Sequence, residues 1–120
     1  MQRLKTRSQF QAVLRTGDVI GRSVHFALHR LQPAEGGLPA GGWIGALVPK
    51  RWARQAVTRN LIKRQIYSAG ERHAERLADA AHVLRLRSTF DRRQFRSPGS
   101  DVLREAVRDE LDSLLLKAAS

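Results

Sequence analysis

The chain has 120 residues, 42% of them apolar, which is enough for one modest hydrophobic core but not for two. It carries 22 lysines and arginines against 11 acidic residues, a formal charge of +11 that favours a polyanionic partner such as nucleic acid. The absence of cysteine excludes disulfides and thiolate chemistry and fits the cytoplasm, and no apolar run is long enough to span a bilayer, so no membrane partner is expected.

The first element is predicted to be a helix at about residues 7–15. Thr6 and Gln9 have the spacing of a capping box, and Gly17 supplies a stop. Apolar residues at helical spacing lie between them, namely Phe10, Val13 and Leu14.

Residues 24–29 alternate in the manner of a strand. The side chains expected to face a core are Val24, Phe26 and Leu28, and those expected to face away from it are His25, Ala27 and His29. Residues 33–42 contain two prolines and four glycines and few large apolar side chains. They are expected to form a mobile hairpin loop.

Residues 43–48 are mostly apolar and predict a second strand, buried on both faces or lining a groove, which Pro49 ends. A helix is predicted at about residues 54–69, and a loop or helical extension at about 71–79. A third strand is predicted at residues 82–87.

The last part of the chain is expected to be a basic loop at residues 90–100, followed by a helix that Ser100 caps. The helix shows an apolar spacing of three and four residues over nearly five turns. Its apolar positions are Val102, Leu103, Ala106, Val107, Leu111, Leu114, Leu115 and Ala118.

The most informative segment is residues 50–64, with six positive charges and no negative one. On a helix, some rows of side chains would pack and others would stay on the surface. The packing rows are Val57/Leu61 and Thr58/Ile62/Ile66, and the surface rows are Arg59/Lys63/Tyr67 and Asn60/Arg64. A solvated basic face is the plain alternative, but the absence of acidic partners favours binding of nucleic acid. Pairing of Arg59, Lys63 and Arg64 with the chain's own carboxylates would contradict that interpretation.

This segment resembles the basic R-N-R-x-x-K-R helix of the protein subunit of bacterial ribonuclease P, including an A-V that follows a K-R pair. The opening RLKTRSQFQAVLRTG is similar to that family's first helix, and WIGALVPKR to its G-x-x-V-x-K-K strand, so the resemblance covers nearly the whole chain. The chain departs from the family pattern at Leu61, which replaces the second arginine of the triplet, at Pro49, and at Tyr67 and Ser68, where an R-E pair is common.

The resemblance implies an RNA-binding subunit of ribonuclease P, the endoribonuclease that removes the 5′ leader from precursor tRNA. The residues implied to contact the catalytic RNA are Lys50, Arg51, Arg54, Arg59, Asn60, Lys63 and Arg64. The residues implied to line a groove for the single-stranded leader are Phe10, Val13, Leu14, His25 and Ala27. For Phe10 and Val13, the alternative is a place in the core.

The resemblance also implies one RNA-binding domain over residues 1–120 with an α+β sandwich fold. The implied order is α-β-β-β-α-β-α, with a mixed central sheet and a left-handed β-α-β crossover. Mg²⁺ would act through the partner RNA, with none bound by the protein alone. The protein would be a monomer in a 1:1 complex with that RNA.

Two other functions fit the composition: a ribosome-associated RNA-binding module, and a DNA-binding regulator that uses residues 54–69 for recognition. Catalysis by the chain itself is not expected, because its eleven acidic residues are scattered and nine of them follow residue 65. His25 and His29 are too far apart on a strand for simple chelation, so no metal site is expected either.

Overall fold

The structure, a computed structural model, describes residues 1–77, 79–91 and 100–118. The strands are β1 (Gln2–Arg3), β2 (Asp18–Arg22), β3 (Phe26–Leu31), β4 (Trp43–Leu47) and β5 (Ala81–Leu86). The helices are α1 (Arg7–Thr16), α2 (Ala56–Arg72) and α3 (Asp101–Ala118), with a short 3₁₀ helix at Pro33–Gly36. The predicted order α-β-β-β-α-β-α is confirmed, with a two-residue strand added before it.

The five strands form one mixed sheet in the order β1-β4-β5-β3-β2. The neighbours β1/β4 and β4/β5 are parallel, and β5/β3 and β3/β2 are antiparallel. The segment β4-α2-β5 is therefore the expected β-α-β crossover, and its left hand stays a prediction. Since β5 lies between β3 and β4, residues 33–42 join strands that are not neighbours. The predicted hairpin is wrong, and Pro33 and Leu38 of that segment are buried.

The strand predicted at residues 24–29 corresponds to β3, which begins only at Phe26. Strand β2 precedes it and is joined to it by a tight turn in which the N–H of Ser23 donates to the carbonyl of Phe26 (2.9 Å). Val24 lies in that turn and is 71% exposed, so its predicted place in the core is wrong. Ala27 and His29 are buried as well as Phe26 and Leu28, because helices cover both faces of the sheet.

Two apolar clusters sandwich the sheet. Helices α2 and α3 cover one face, where the largest buried side chains of the strands are Phe26, Leu28, Ile44, Leu84 and Leu86. Helix α1 covers the other face, where its completely buried Val13 belongs to a cluster that also contains Leu4, Leu31, Leu38, Trp43, Ala81 and Val83. Strand β4 is buried on both faces, which confirms the first of the two alternatives predicted for residues 43–48.

The buried residues of α2 are Ile62, Ile66, Ala69 and Gly70. The prediction that Ile62 and Ile66 pack is therefore confirmed. Val57 was predicted to pack, but it is 57% exposed because the packing of these residues turns it to the outer surface. The predicted helix is thus confirmed, with bounds two to three residues later than expected.

Helix α3 begins as predicted. The hydroxyl oxygen of Ser100 accepts from the N–H of Leu103 (3.1 Å), which caps the helix. The basic loop predicted at residues 90–100 falls mostly outside the described residues. No helix in the described part of the chain is both long and apolar enough to cross a membrane.

Candidate nucleic-acid interface

The turn at residues 49–55 concentrates positive charge at the N-terminus of α2. The carbonyl of Pro49 accepts from the N–H groups of Trp52 and Ala53 (3.1 and 3.2 Å), which fixes the turn. Helix α2 starts without an acidic residue in its first turn and without a side-chain cap from Gln55. Because a helix N-terminus carries partial positive charge, this end of α2 favours an anion. Three exposed cations surround it, Lys50, Arg51 and Arg54.

Arg59 has a structural role in addition to its charge. Its Nη1 donates to the carbonyl oxygens of Ala53 (3.0 Å) and Arg54 (2.7 Å), so the side chain folds back onto the turn that precedes α2. The guanidinium therefore stabilises that turn through two hydrogen bonds. The sequence predicted a positive charge at this position but not these hydrogen bonds to the backbone.

Asn60, Lys63 and Arg64 are exposed on the outer face of α2. In the described residues no carboxylate lies within 4.0 Å of Arg59, Lys63 or Arg64. The self-neutralisation that would have contradicted the sequence interpretation does not occur there.

A cleft of about 400 Å³ lies on the outer face of α2, next to the first turn of α3. Its lining combines apolar and amide side chains with two arginines, namely Val57, Asn60, Leu61, Gln65, Arg64 and Arg104. Leu61, where the family pattern has an arginine, is partly buried against the α2–α3 core. Position 61 therefore contributes packing, while Asn60 and Arg64 remain at the surface.

Two carboxylates of α3, those of Glu110 and Asp112, bind groups other than Lys63 and Arg64. Glu110 binds the β2–β3 turn through Ser23 Oγ (2.5 Å), the N–H of His25 (2.8 Å) and His25 Nδ1 (2.6 Å). Asp112 Oδ1 accepts from Arg72 Nη2 and His73 Nε2, both at 2.8 Å, and so joins α3 to the end of α2.

Burial on its own would raise the pKa of Asp112, but the hydrogen bonds and the electrostatic attraction from Arg72 and His73 together outweigh burial and lower that pKa below its ordinary value. A carboxyl group with a lowered pKa contributes stability above its unfolded-state pKa, and that contribution is lost as the pH falls through the folded-state value. We expect Asp112→Asn to lower the free energy of unfolding by about 1–2 kcal/mol at pH 7. The difference from wild type should shrink as the pH falls below about 4.

Urea unfolding of both proteins from pH 7 to pH 2.5 measures that difference. Asp109→Asn, which removes an exposed carboxylate of α3, is the matched control and should change stability little. A difference between Asp112→Asn and wild type that stays constant with pH would contradict the role assigned to Asp112.

On the opposite face of the sheet, Phe10 of α1 lies across β4 at Gly45. A Cβ at Gly45 would come within 2.6 Å of the ring of Phe10, so glycine is required for this close approach. The Phe10 side chain remains partly exposed, as does that of Leu14. Val13 is completely buried between them and belongs to the core. It packs α1 against the sheet and is not accessible to a ligand.

Next to Phe10, the sheet carries a row of side chains across four strands. Register places Arg22, Ala27, Arg85 and Leu47 side by side in that order. Ala27 was expected to line the groove, but it is completely buried. The accessible part of the row is formed by its neighbours. Two arginines on this face suit the binding of phosphates.

His29 lies one step further along the same face, and its Nε2 accepts from Arg85 Nε (3.1 Å). Burial, together with Arg85 and Arg22, lowers the pKa of His29 below 6.5, so the ring is neutral at pH 7. Neutral His29 can therefore orient Arg85 without adding charge.

His25 was expected to line the same groove as Phe10, and the structure places it elsewhere. Its ring binds Glu110 of α3 and stacks on Phe90 with 3.8 Å between the ring centroids. The reason is that β3 begins only at Phe26, so the turn directs His25 towards α3 instead of towards α1.

Sequence reasoning missed Arg22, Leu47 and Arg85 as candidate surface of the groove. The signal for Arg85 was present in the alternation of the predicted strand 82–87. Arg22 and Leu47 depended on the pairing of strands that are distant in sequence. In the described residues, no three His, Asp or Glu side chains come together as a metal site would require.

A family model and curated relatives that match this chain all belong to ribonuclease P. The model of the family described as Ribonuclease P matches residues 1–117. The ribonuclease P protein component of Nitrosomonas eutropha is 35% identical over 118 residues, covering 98% of this chain and 87% of the relative. That of Paraburkholderia xenovorans is 32% identical over 100 residues, covering 82% of this chain and 67% of the relative.

Solved structures share the fold. The RNase P protein of Staphylococcus aureus superposes with a TM-score of 0.74 at 21% identity, covering 98% of this chain and 95% of that protein. The RNase P protein of Thermotoga maritima superposes with a TM-score of 0.70 at 19% identity, covering 98% and 97%. At these identities the likeness shows the α+β fold alone.

Proposed function

The chain belongs to the ribonuclease P protein family, and from that premise we propose that α2 binds the catalytic RNA while α1 and the sheet hold the 5′ leader of precursor tRNA. As a member of this family it is the RNA-binding protein component of an endoribonuclease of tRNA processing. The proposal concerns how this chain performs that role.

The observation that carries the proposal is the unneutralised basic surface of α2. Lys63 and Arg64 project from it, and Lys50, Arg51 and Arg54 surround its N-terminus. Phosphates would supply the missing negative charge through charge-assisted hydrogen bonds. The hydrogen bonds from Arg59 to carbonyl oxygens of the 49–55 turn support this, because they hold the backbone of that turn in place beside the N-terminus of α2.

For the leader, the supporting observations are on the other face. Phe10 offers a partly exposed aromatic ring, and Arg22 and Arg85 lie beside it on the sheet. Stacking on an aromatic ring tolerates any base, and the arginines suit the leader phosphates. The protein would in this way favour precursor over matured tRNA.

Further parts of the proposal concern partners and conditions. Residues 1–120 would act as one RNA-binding domain, as a monomer in a 1:1 complex with the catalytic RNA. Catalysis would rest with Mg²⁺ held by that RNA, and none is expected to bind to this chain alone. A cytoplasmic location is proposed, in keeping with the absence of cysteine.

The test is cleavage of precursor tRNA by a bacterial catalytic RNA at low Mg²⁺, with and without this protein. The protein should raise the cleavage rate at limiting substrate, and ribosomal RNA or duplex DNA should not compete effectively for it. No stimulation, together with preferential binding of ribosomal RNA or duplex DNA, would refute the proposed function.

The leader contact makes a separate prediction. We expect Phe10→Ala to weaken binding of precursor tRNA by the holoenzyme about tenfold, the value of roughly one stacked base, without affecting leaderless tRNA. Phe10→Leu keeps apolar volume over Gly45 and should show the same selective loss with less effect on folding. Leu116→Ala, which truncates an exposed apolar residue of α3, is the control. Equal losses for both tRNAs would contradict a leader contact by Phe10.

A further inference from the structure

Strand β1 forms the edge of the sheet beside α2. Arg3 pairs in register with Ile44, whose side chain lies in the α2–α3 core, so Arg3 points to the same side as α2. Its Cζ lies 4.0 Å from the centroid of the Tyr67 ring. Leu4 anchors the strand, since it is 3% exposed and its N–H donates to the carbonyl of Ile44 (2.9 Å).

The contact with Tyr67 leaves the guanidinium of Arg3 free to bind. Stacking uses the flat face of a guanidinium, and its N–H groups point outwards in the plane. Arg3 is exposed, and no carboxylate in the described part of the chain lies within 4.0 Å of it. The ring also restricts the side chain, so less conformational entropy is lost when a ligand binds.

Arg3 also extends the positive surface of α2. Lys63 lies one turn before Tyr67 on the same row of the helix. The acidic residue of that row, Glu71, lies one turn beyond Tyr67, and its Oε1 accepts from the amino group of Met1 (3.1 Å). Tyr67 itself carries no charge. Arg3 of strand β1 therefore places a positive charge at a position where the helix has none.

We propose that Arg3, held on the ring of Tyr67, is a further RNA contact that binds a phosphate of the catalytic RNA beside the part bound by Lys63. This inference rests on the proposed function and extends its RNA-binding surface from α2 onto the edge of the sheet. Arg3 makes the contact, and Tyr67 is a positioning residue.

The experiment measures the affinity of the protein variants for a bacterial ribonuclease P RNA over a series of salt concentrations. Arg3→Ala should lower the association constant about five- to tenfold near physiological salt. The slope of log affinity against log salt should become shallower by about 0.7–1, as expected for one lost phosphate contact. Arg3→Gln should behave in the same way and guards against a folding defect.

The role of Tyr67 in positioning Arg3 is tested by the affinity and the salt dependence of its variants, alone and combined with Arg3→Ala. Tyr67→Leu should weaken binding less than Arg3→Ala and leave the salt slope unchanged, because the charge of Arg3 remains. Tyr67→Phe keeps the ring and should bind like wild type. In the Arg3→Ala background, Tyr67→Leu should cause no further loss.

Arg108→Gln, which removes an exposed charge from α3, is the matched control and should bind like wild type. Lys63→Ala plus Arg64→Ala is measured in parallel. If that variant is weakened while Arg3→Ala and Arg3→Gln bind like wild type, the Arg3 contact is overturned and the proposed function stands. If none of these variants is weakened, the RNA-binding role proposed for α2 fails as well.

Discussion

Lys63→Ala plus Arg64→Ala is expected to weaken binding of the catalytic RNA about 100-fold near physiological salt. Both side chains project from α2 without a carboxylate within 4.0 Å in the described residues. Each would lose at least one charge-assisted hydrogen bond to a phosphate, worth roughly a factor of ten or more. The slope of log affinity against log salt should become shallower by about 1.4–2.

This variant is preferable to one that includes Arg59, because Arg59 also fastens the turn at residues 49–55. A loss caused by removing Arg59 would mix RNA contact with a disturbed backbone. Arg76→Ala plus Arg108→Ala removes the same net charge from exposed positions outside the basic surface of α2, and serves as the control. Equal weakening by the two double variants would show that only net charge matters, and would contradict the proposal that Lys63 and Arg64 contact the RNA.

Gly17→Ala is expected to destabilise the fold by about 3 kcal/mol, a large part of the stability of a domain of this size. Gly17 ends α1, and its N–H donates to the carbonyl of Val13 (3.0 Å). A Cβ there would lie 2.5 Å from the carbonyl oxygen of Arg30 in β3 and would also collide with that of Val13. Both obstacles are backbone atoms, so no side-chain rotation relieves the clash.

Urea unfolding measures this effect as a fall in the midpoint at constant slope. Gly42→Ala is the matched control, because its Cβ would meet only the flexible side chain of Met1, at 3.3 Å. It should change stability by less than about 1 kcal/mol. A Gly17→Ala protein as stable as wild type would contradict the close approach of α1 and β3 described above.

Much of the fold could be predicted because its elements carry strong local patterns. The capping box of Thr6 and Gln9, the apolar run of β4 and the apolar spacing of α3 each indicated the element that is present. Strand β2 was missed because Asp18–Arg22 contains a glycine and a bulge between Val19 and Gly21, which obscure the alternation. Strand β1 was missed because two residues cannot display a period.

The candidate site divides in the same way. The basic surface of α2 could be predicted, because a run of cations without acidic neighbours is visible within one element. The groove residues could be predicted only in part. Phe10 and Leu14 are accessible, whereas Val13 and Ala27 are buried and His25 binds Glu110 of α3. Helices cover both faces of β3, and this depends on contacts with residues far along the chain.

The sequence by itself determined the number and type of most elements, the surplus of positive charge and its concentration at residues 50–64, and the resemblance to one family. Local periodicity and composition report these properties, because they depend on neighbours a few positions apart. Only the tertiary structure decided that β5 lies between β3 and β4, that Arg59 turns back onto its own backbone, and that Arg3 stacks on Tyr67. Such contacts join positions distant in sequence, and their free energy depends on packing that no single segment contains.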